Sequence, residues 1–153
     1  MAWNVAMMFV KAPKEELENI VPDIFTKKTE DNFFEDATSV MLQKDMDVSY
    51  HDEWVILTDV EGRIIFNDLI PKEISKHFSV KTFWIAENLK FRQYENCTLT
   101  KEVSGINEGE KYLLDNGIKP IDEWGETIII QILGMEAVKL DDLYALKFDI
   151  WGI

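Results

Sequence analysis

Residues 80–103 read VKTFWIAENLKFRQYENCTLTKEV, and their pattern decides the fold. Val80 to Glu87, Leu89 to Tyr94 and Thr98 to Val103 are short runs rich in β-branched and aromatic residues, parted by the polar pairs Glu87-Asn88 and Glu95-Asn96. Such runs and turns predict consecutive antiparallel strands, a meander. Upstream, Glu53 to Asp59 alternates Trp54, Ile56 and Thr58 with Val55, Leu57 and Asp59, and Glu61-Gly62 offers a turn into Arg63 to Leu69. This predicts a hairpin. Ile70, Ile74, His77 and Phe78 follow at helical spacing, with Pro71 in the first turn of a short helix.

Farther toward the N-terminus, Ser39 to Gln43 reads as a strand and Lys27 to Asp36 as a polar loop anchored by Phe33 and Phe34. From Lys14, the residues Leu17, Ile20, Val21 and Ile24 predict an amphipathic helix, with Glu15, Glu16 and Glu18 where the helix dipole favours carboxylates. Trp3 to Val10 is almost continuously apolar, which predicts a strand buried on both faces, closed by Pro13. Downstream, Gly105 to Gly109 breaks the pattern, Glu110 to Asp115 makes a brief helix, and Asn116-Gly117 ends it. Asp122 is placed to cap a helix through Leu133, with Trp124, Ile128, Gln131 and Ile132 on one side. The β-branched Ile128-Ile129-Ile130 favours a strand instead, so helix and strand compete here. Leu146, Phe148 and Ile150 alternate with polar neighbours in a closing strand from Leu143 to Ile153. The expectation is one α+β domain over residues 1–153, mainly antiparallel sheet with helices packed on one face.

A chain of 153 residues with 46% hydrophobic composition is long enough to bury such a core. Five Trp, nine Phe and four Tyr supply the apolar area that disordered acidic chains lack. The balance of 29 Asp and Glu against 16 Lys and Arg, a net charge of −13, makes nucleic acid and anionic membrane unfavourable partners. The apolar start has no basic residue ahead of it and is interrupted by Lys11, unlike a signal peptide, and no run approaches the roughly 20 apolar residues that span a bilayer. The single Cys97 fits a reducing compartment, and a cytoplasmic location is expected. Asn96-Cys97-Thr98 has the form of a glycosylation acceptor, which is expected to stay unused without a secretory signal.

Catalytic signatures are missing: there is no glycine-rich phosphate loop, no His-Glu-x-x-His helix and no Gly-x-Ser-x-Gly elbow. Two histidines and one cysteine cannot fill a Cys/His zinc site. Asp45, Asp47, His51, Asp52 and Glu53 are the tightest group of oxygen and nitrogen ligands, but lack the glycine and distal glutamate of a helix–loop–helix calcium site. An acidic turn before the Trp54 strand is expected there, able to offer carboxylates to Lys or Arg of a protein. His77 is expected to pack, His51 to face water, and Cys97 to be a small buried or half-buried thiol. Most tryptophans should anchor the core; Trp124 and Trp151 are the ones expected at the surface, where an aromatic rimmed by acid suits protein binding. No catalytic residue, metal or cofactor is expected, and the protein is read as a non-enzyme.

Charge is uneven. Between Glu15 and Asp68 fifteen Asp and Glu face only Lys27, Lys28, Lys44 and Arg63, a local charge of −11. The run Glu53 to Asp59, the segment Ile70-Pro71-Lys72-Glu73-Ile74-Ser75 and the meander around Asn88 to Phe91 resemble, in their layout, bacterial immunity-type proteins: small acidic α+β proteins that protect a cell from a secreted toxin. The resemblance covers about residues 3–140 and transfers no binding residue. It implies a one-to-one complex with a basic toxin domain, and the surface expected to meet it comprises Glu30, Asp31, Glu35, Asp36, Asp45, Asp47, Asp52 and Glu53. Two other classes stay open: a small-ligand binder or enzyme with its site in the sheet, and an accessory subunit of a larger bacterial assembly.

Overall fold

A computed structural model of the chain describes residues 5–20, 26–33, 46–59, 65, 68–86 and 88–152, and along Thr26–Phe33 the backbone. Its strands are β1 (Val5–Lys11), β2 (Thr26–Phe33), β3 (Met46–His51), β4 (Trp54–Asp59), β5 (Ser79–Ile85), β6 (Lys90–Glu95), β7 (Thr98–Ser104) and β8 (Lys147–Gly152). They form one eight-stranded sheet in the order β2-β8-β3-β4-β1-β5-β6-β7. Every neighbouring pair is antiparallel. The helices are α1 (Leu17–Ile20, after a 3-10 turn at Lys14–Glu16), α2 (Leu69–Ile74), α3 (Ile106–Asp115), α4 (Gly125–Glu136) and α5 (Leu140–Tyr144). The α+β class and the meander β5–β6–β7 stand as expected.

β1 holds the centre. Val5 to Val10 are all inaccessible to solvent, because β4 and β5 flank the strand and both faces of the sheet are covered. On one face Val5, Met7, Phe9, Ile56, Phe83 and Phe91 meet Leu113 of α3 and Ile128, Ile129, Ile132 and Leu133 of α4. On the other, Ala6, Met8, Val10, Val55, Leu57 and Val80 meet Ile20 of α1 and Ile70 and Ile74 of α2. Helices on one face alone is therefore corrected: the two longest cover the first face, and the short α1 and α2 cover the second.

Several local expectations give way to long-range pairing. The polar stretch from Lys27, read as a loop, is strand β2, held by β8 with register shifts at Lys27/Thr29 and Thr29/Asn32. An edge strand needs hydrogen-bonding partners on one side only, so a charged sequence suffices. The supposed acidic turn from Asp45 to Glu53 narrows to Asp52-Glu53, since Met46–His51 is β3. β3 and β1 occupy both edges of β4, which leaves no free edge for the expected hairpin with Arg63 to Leu69; of that run Ile65 is a buried turn residue, Leu69 opens α2, and Arg63, Ile64, Phe66 and Asn67 lie outside the described residues. Leu143 and Tyr144 belong to helix α5, and the closing strand begins at Lys147 and inserts between β2 and β3. The predicted strand Ser39 to Gln43 lies outside the described residues.

At Ile128-Ile129-Ile130 the helix wins. Each isoleucine costs a helix at most about 0.7 kcal/mol relative to alanine, whereas burying a large aliphatic side chain stabilises by about 1.5–3 kcal/mol, and Ile128, Ile129, Ile132 and Leu133 are all fully buried. Gly109, read as a breaker, lies inside α3, because a Cβ there would stand 2.7 Å from Ile128 Cγ2 and 3.3 Å from Leu89 Cδ2. Its missing side chain lets α3 and α4 close on each other. At the β6–β7 turn Asn96 and Cys97 take φ of 51° and 63°, the left-handed pair that a two-residue hairpin turn requires.

The C-terminal end of α4 is fixed by a polar clamp that no sequence motif announces. Lys81 Nζ reaches Glu136 Oε2 at 2.8 Å and its backbone carbonyl at 3.0 Å, and stands 5.7 Å from the centre of the Trp54 ring. The Tyr112 hydroxyl donates to Glu136 Oε1, and Lys101 Nζ donates to the Tyr112 oxygen at 3.0 Å. Burial by itself would raise the Glu136 carboxyl, but the hydrogen bonds from Lys81 and Tyr112 outweigh it and hold the group below its ordinary value. Tyr112 is pushed upward by burial and by its bond to that carboxylate.

Replacing Glu136 with Gln should destabilise the protein by about 2 kcal/mol at pH 7, read by urea unfolding. Because the folded carboxyl titrates lower than the unfolded one, the gap between wild type and variant is full above the ordinary value of 4.5 and closes as pH falls through the lowered value. Gly109→Ala gains helix propensity but presses a methyl into Ile128, and a net loss of about 1 kcal/mol is expected, seen as a melting temperature lower by about 2–4 °C.

Candidate functional site

Of the eight carboxylates expected to face a partner, the five that fall on described residues do not form one cluster. Asp52 and Glu53 are exposed at the β3–β4 turn, where Asp52 adopts φ 55°. Lys11 Nζ lies 3.3 Å from Glu53 Oε1, His51 Nε2 lies 3.4 Å from Asp52 Oδ2, and the Glu53 carbonyl accepts the Ala12 N–H at 3.0 Å. Glu30 and Asp31 fall on β2, two strands away from β3 in the sheet. Asp47 is corrected outright: it is 1% exposed, paired in register with Thr58 and Ile150 in the interior of the sheet, and cannot touch another protein. Glu35, Asp36 and Asp45 lie outside the described residues. Asp47 was misplaced because alternation inside a strand buried on both faces looks, in sequence, like an acidic turn.

A second acidic surface, which the count of N-terminal charges overlooked, lies where β7 passes into α3 and the loop enters α4. A concave groove of about 780 Å³ is lined by Asn88, Gly105, Ile106, Asn107, Glu110 and Glu123. Gly105 makes the corner: its φ is 86°, a conformation other residues adopt only with strain, and its N–H bonds the Leu89 carbonyl at 3.0 Å. From Gly105 to Glu126 the chain carries six Asp and Glu against Lys111 and Lys119, and Lys111 is taken by Asp115 at 2.6 Å.

Beside this groove the chain holds apolar side chains in water. Trp124 is 69% exposed and Ile121 76%. The loop that carries them is tied down: Gln131 Oε1 accepts the Ile121 N–H at 3.1 Å, Gln131 Nε2 donates to the Lys119 carbonyl at 3.1 Å, and Asp122 Oδ1 accepts the Trp124 N–H at 2.9 Å. The Trp124 carbonyl then starts α4 by accepting from Ile128. A tryptophan presented by a bonded loop directly after Glu123, itself a wall of the groove that Glu110 also lines, brings a large apolar face near carboxylates, the composition of an interface hot spot for a cationic partner. Trp124 is exposed as expected; Trp151 is not, being packed at 9% exposure against the second face of the sheet.

Tyr94 and Arg92 serve the scaffold. Tyr94, fully buried, donates to Asp68 Oδ1 at 2.6 Å, and its hydroxyl is pushed up to about 12 by burial and by that bond. Arg92 spans from Asp68 Oδ1 at 2.9 Å to Glu102 Oε2 at 2.5 Å, fastening the start of α2 to β6 and β7. Cys97 is exposed at its turn, neither buried nor half-buried, and its N–H bonds Ser75 Oγ at 2.9 Å. His77 is exposed too, where packing was expected. Among the described residues, no three His, Cys, Asp or Glu side chains gather as metal ligands would, and no helix is long and apolar enough to cross a membrane.

Comparison with models of protein families, with curated proteins and with solved structures finds no match for this chain.

Proposed function

We propose that this chain is a protein-binding domain that docks a basic partner on the acidic surface around Trp124, and that it acts as an immunity-type inhibitor neutralising a basic bacterial toxin. Trp124 carries this reading. A tryptophan 69% exposed, held there by a hydrogen-bonded loop and following Glu123 of the acidic groove, is an apolar area the fold itself gains nothing by exposing. A net charge of −13 supplies the long-range attraction, able to raise association toward 10⁸ M⁻¹s⁻¹ or so at low salt, while burial of the indole sets the lifetime. The carboxylates at Asp52, Glu53, Glu30 and Asp31 contribute to the field without having to touch the partner.

The test is calorimetric titration of the purified chain with the basic protein encoded beside it. Binding is expected to weaken about 30-fold in Trp124→Ala, and association is expected to slow as salt rises. Binding indifferent to both the substitution and to salt, or no binding at all, overturns the proposal.

A further inference from the structure

On the opposite face of the sheet from α3 and α4, a second cavity of about 560 Å³ lies between the N-terminal helical turn and α2, and we propose that it binds a small organic cation, an ammonium carried on a compact hydrocarbon body. Its walls are Glu16, Asn19, Ile20, Glu73, Ile74, His77 and Phe78. The floor is apolar: Ile20 is 4% exposed, and Ile74 and Phe78 are half-buried against the sheet face that holds Val10 and Val80. The polar groups come from two different elements, Glu16 from the 3-10 turn and Glu73 from α2, so two carboxylates border one apolar hollow.

Each of these groups has only light internal duty. Asn19 Nδ2 donates to Glu16 Oε2 at 3.0 Å, and Lys76 reaches Glu73 Oε1 at 3.4 Å from an exposed position. Among the described residues no Lys or Arg lines the cavity, and Glu15 and Glu18 outweigh Lys14 along the adjoining turns. An anion is therefore disfavoured, and a neutral hydrocarbon gains nothing from the two carboxylates. A cation with an apolar body satisfies both halves, and the volume falls in the range of about 300–1,000 Å³ that small-molecule sites occupy. This inference is independent of the role assigned to Trp124.

The probes are 2-phenylethylammonium and its charge-reversed counterpart 3-phenylpropionate, each titrated into the intact protein and followed by backbone amide shifts in NMR spectra. The ammonium should shift Ile20, Ile74, His77 and Phe78, and should bind at least about tenfold more tightly than the carboxylate. Glu16→Gln combined with Glu73→Gln, both surface changes, should remove about that tenfold advantage, and Trp124→Ala should leave it intact. Equal binding of the two probes, full retention of ammonium binding in the double variant, or no shift at these residues up to millimolar concentration overturns the proposal.

Discussion

The burial of β1 on all four sides is the constraint on which the molecule depends. Six consecutive residues with no solvent contact require a strand on each edge and a layer on each face, and the chain must bring all four from distant segments. β4 and β5 provide the edges. α3 and α4 provide one layer; α1 and α2, helped by Trp151 near the C-terminus, provide the other. The interior is aromatic where this demand is greatest: Phe9 meets Phe83 edge-on at 5.4 Å and Trp54 at 6.2 Å, and Phe83 stacks on Phe91 at 5.0 Å.

That arrangement explains which parts were legible in sequence. β1 and the meander declared themselves because their patterns are local: a continuous apolar run, or strands joined by short connections of four and two residues. The edge strand β2 did not, since Lys27, Lys28, Glu30 and Asp31 carry no strand pattern and the pairing with β8 joins segments more than a hundred residues apart. Gly109 misled in the other direction. Its helix is dictated by contact with Ile128, which a single-segment reading cannot see. The same holds for Asp47, whose neighbours in space, Thr58 and Ile150, come from β4 and β8.

Charge, too, was legible as a total but not as a surface. The N-terminal excess is real, yet its described members divide among the first helical turns, a hairpin turn, an edge strand and buried positions. Trp124 could be suspected from its acidic neighbours, but that it projects from a tethered loop beside a groove depends on Gln131, one helix turn and more downstream. The clamp at Glu136 likewise unites β5, β7, α3 and α4 through single residues that no spacing rule connects. The tethered loop and the clamp share a physical origin: polar side chains acting across elements, where hydrogen-bond geometry and not periodicity selects the partner.

The tip of the β6–β7 hairpin has a practical corollary. Cys97 is the chain's one thiol and it faces water, so any disulfide it forms must join two molecules, and a thiol-reactive dye attaches at a single defined place. The hairpin tip and the Gly105 corner terminate opposite ends of β7, a seven-residue strand that spans about 20 Å or slightly more. A fluorophore at Cys97 would thus watch the Trp124 groove from afar, close enough for energy transfer to a labelled visitor and too distant to obstruct its approach.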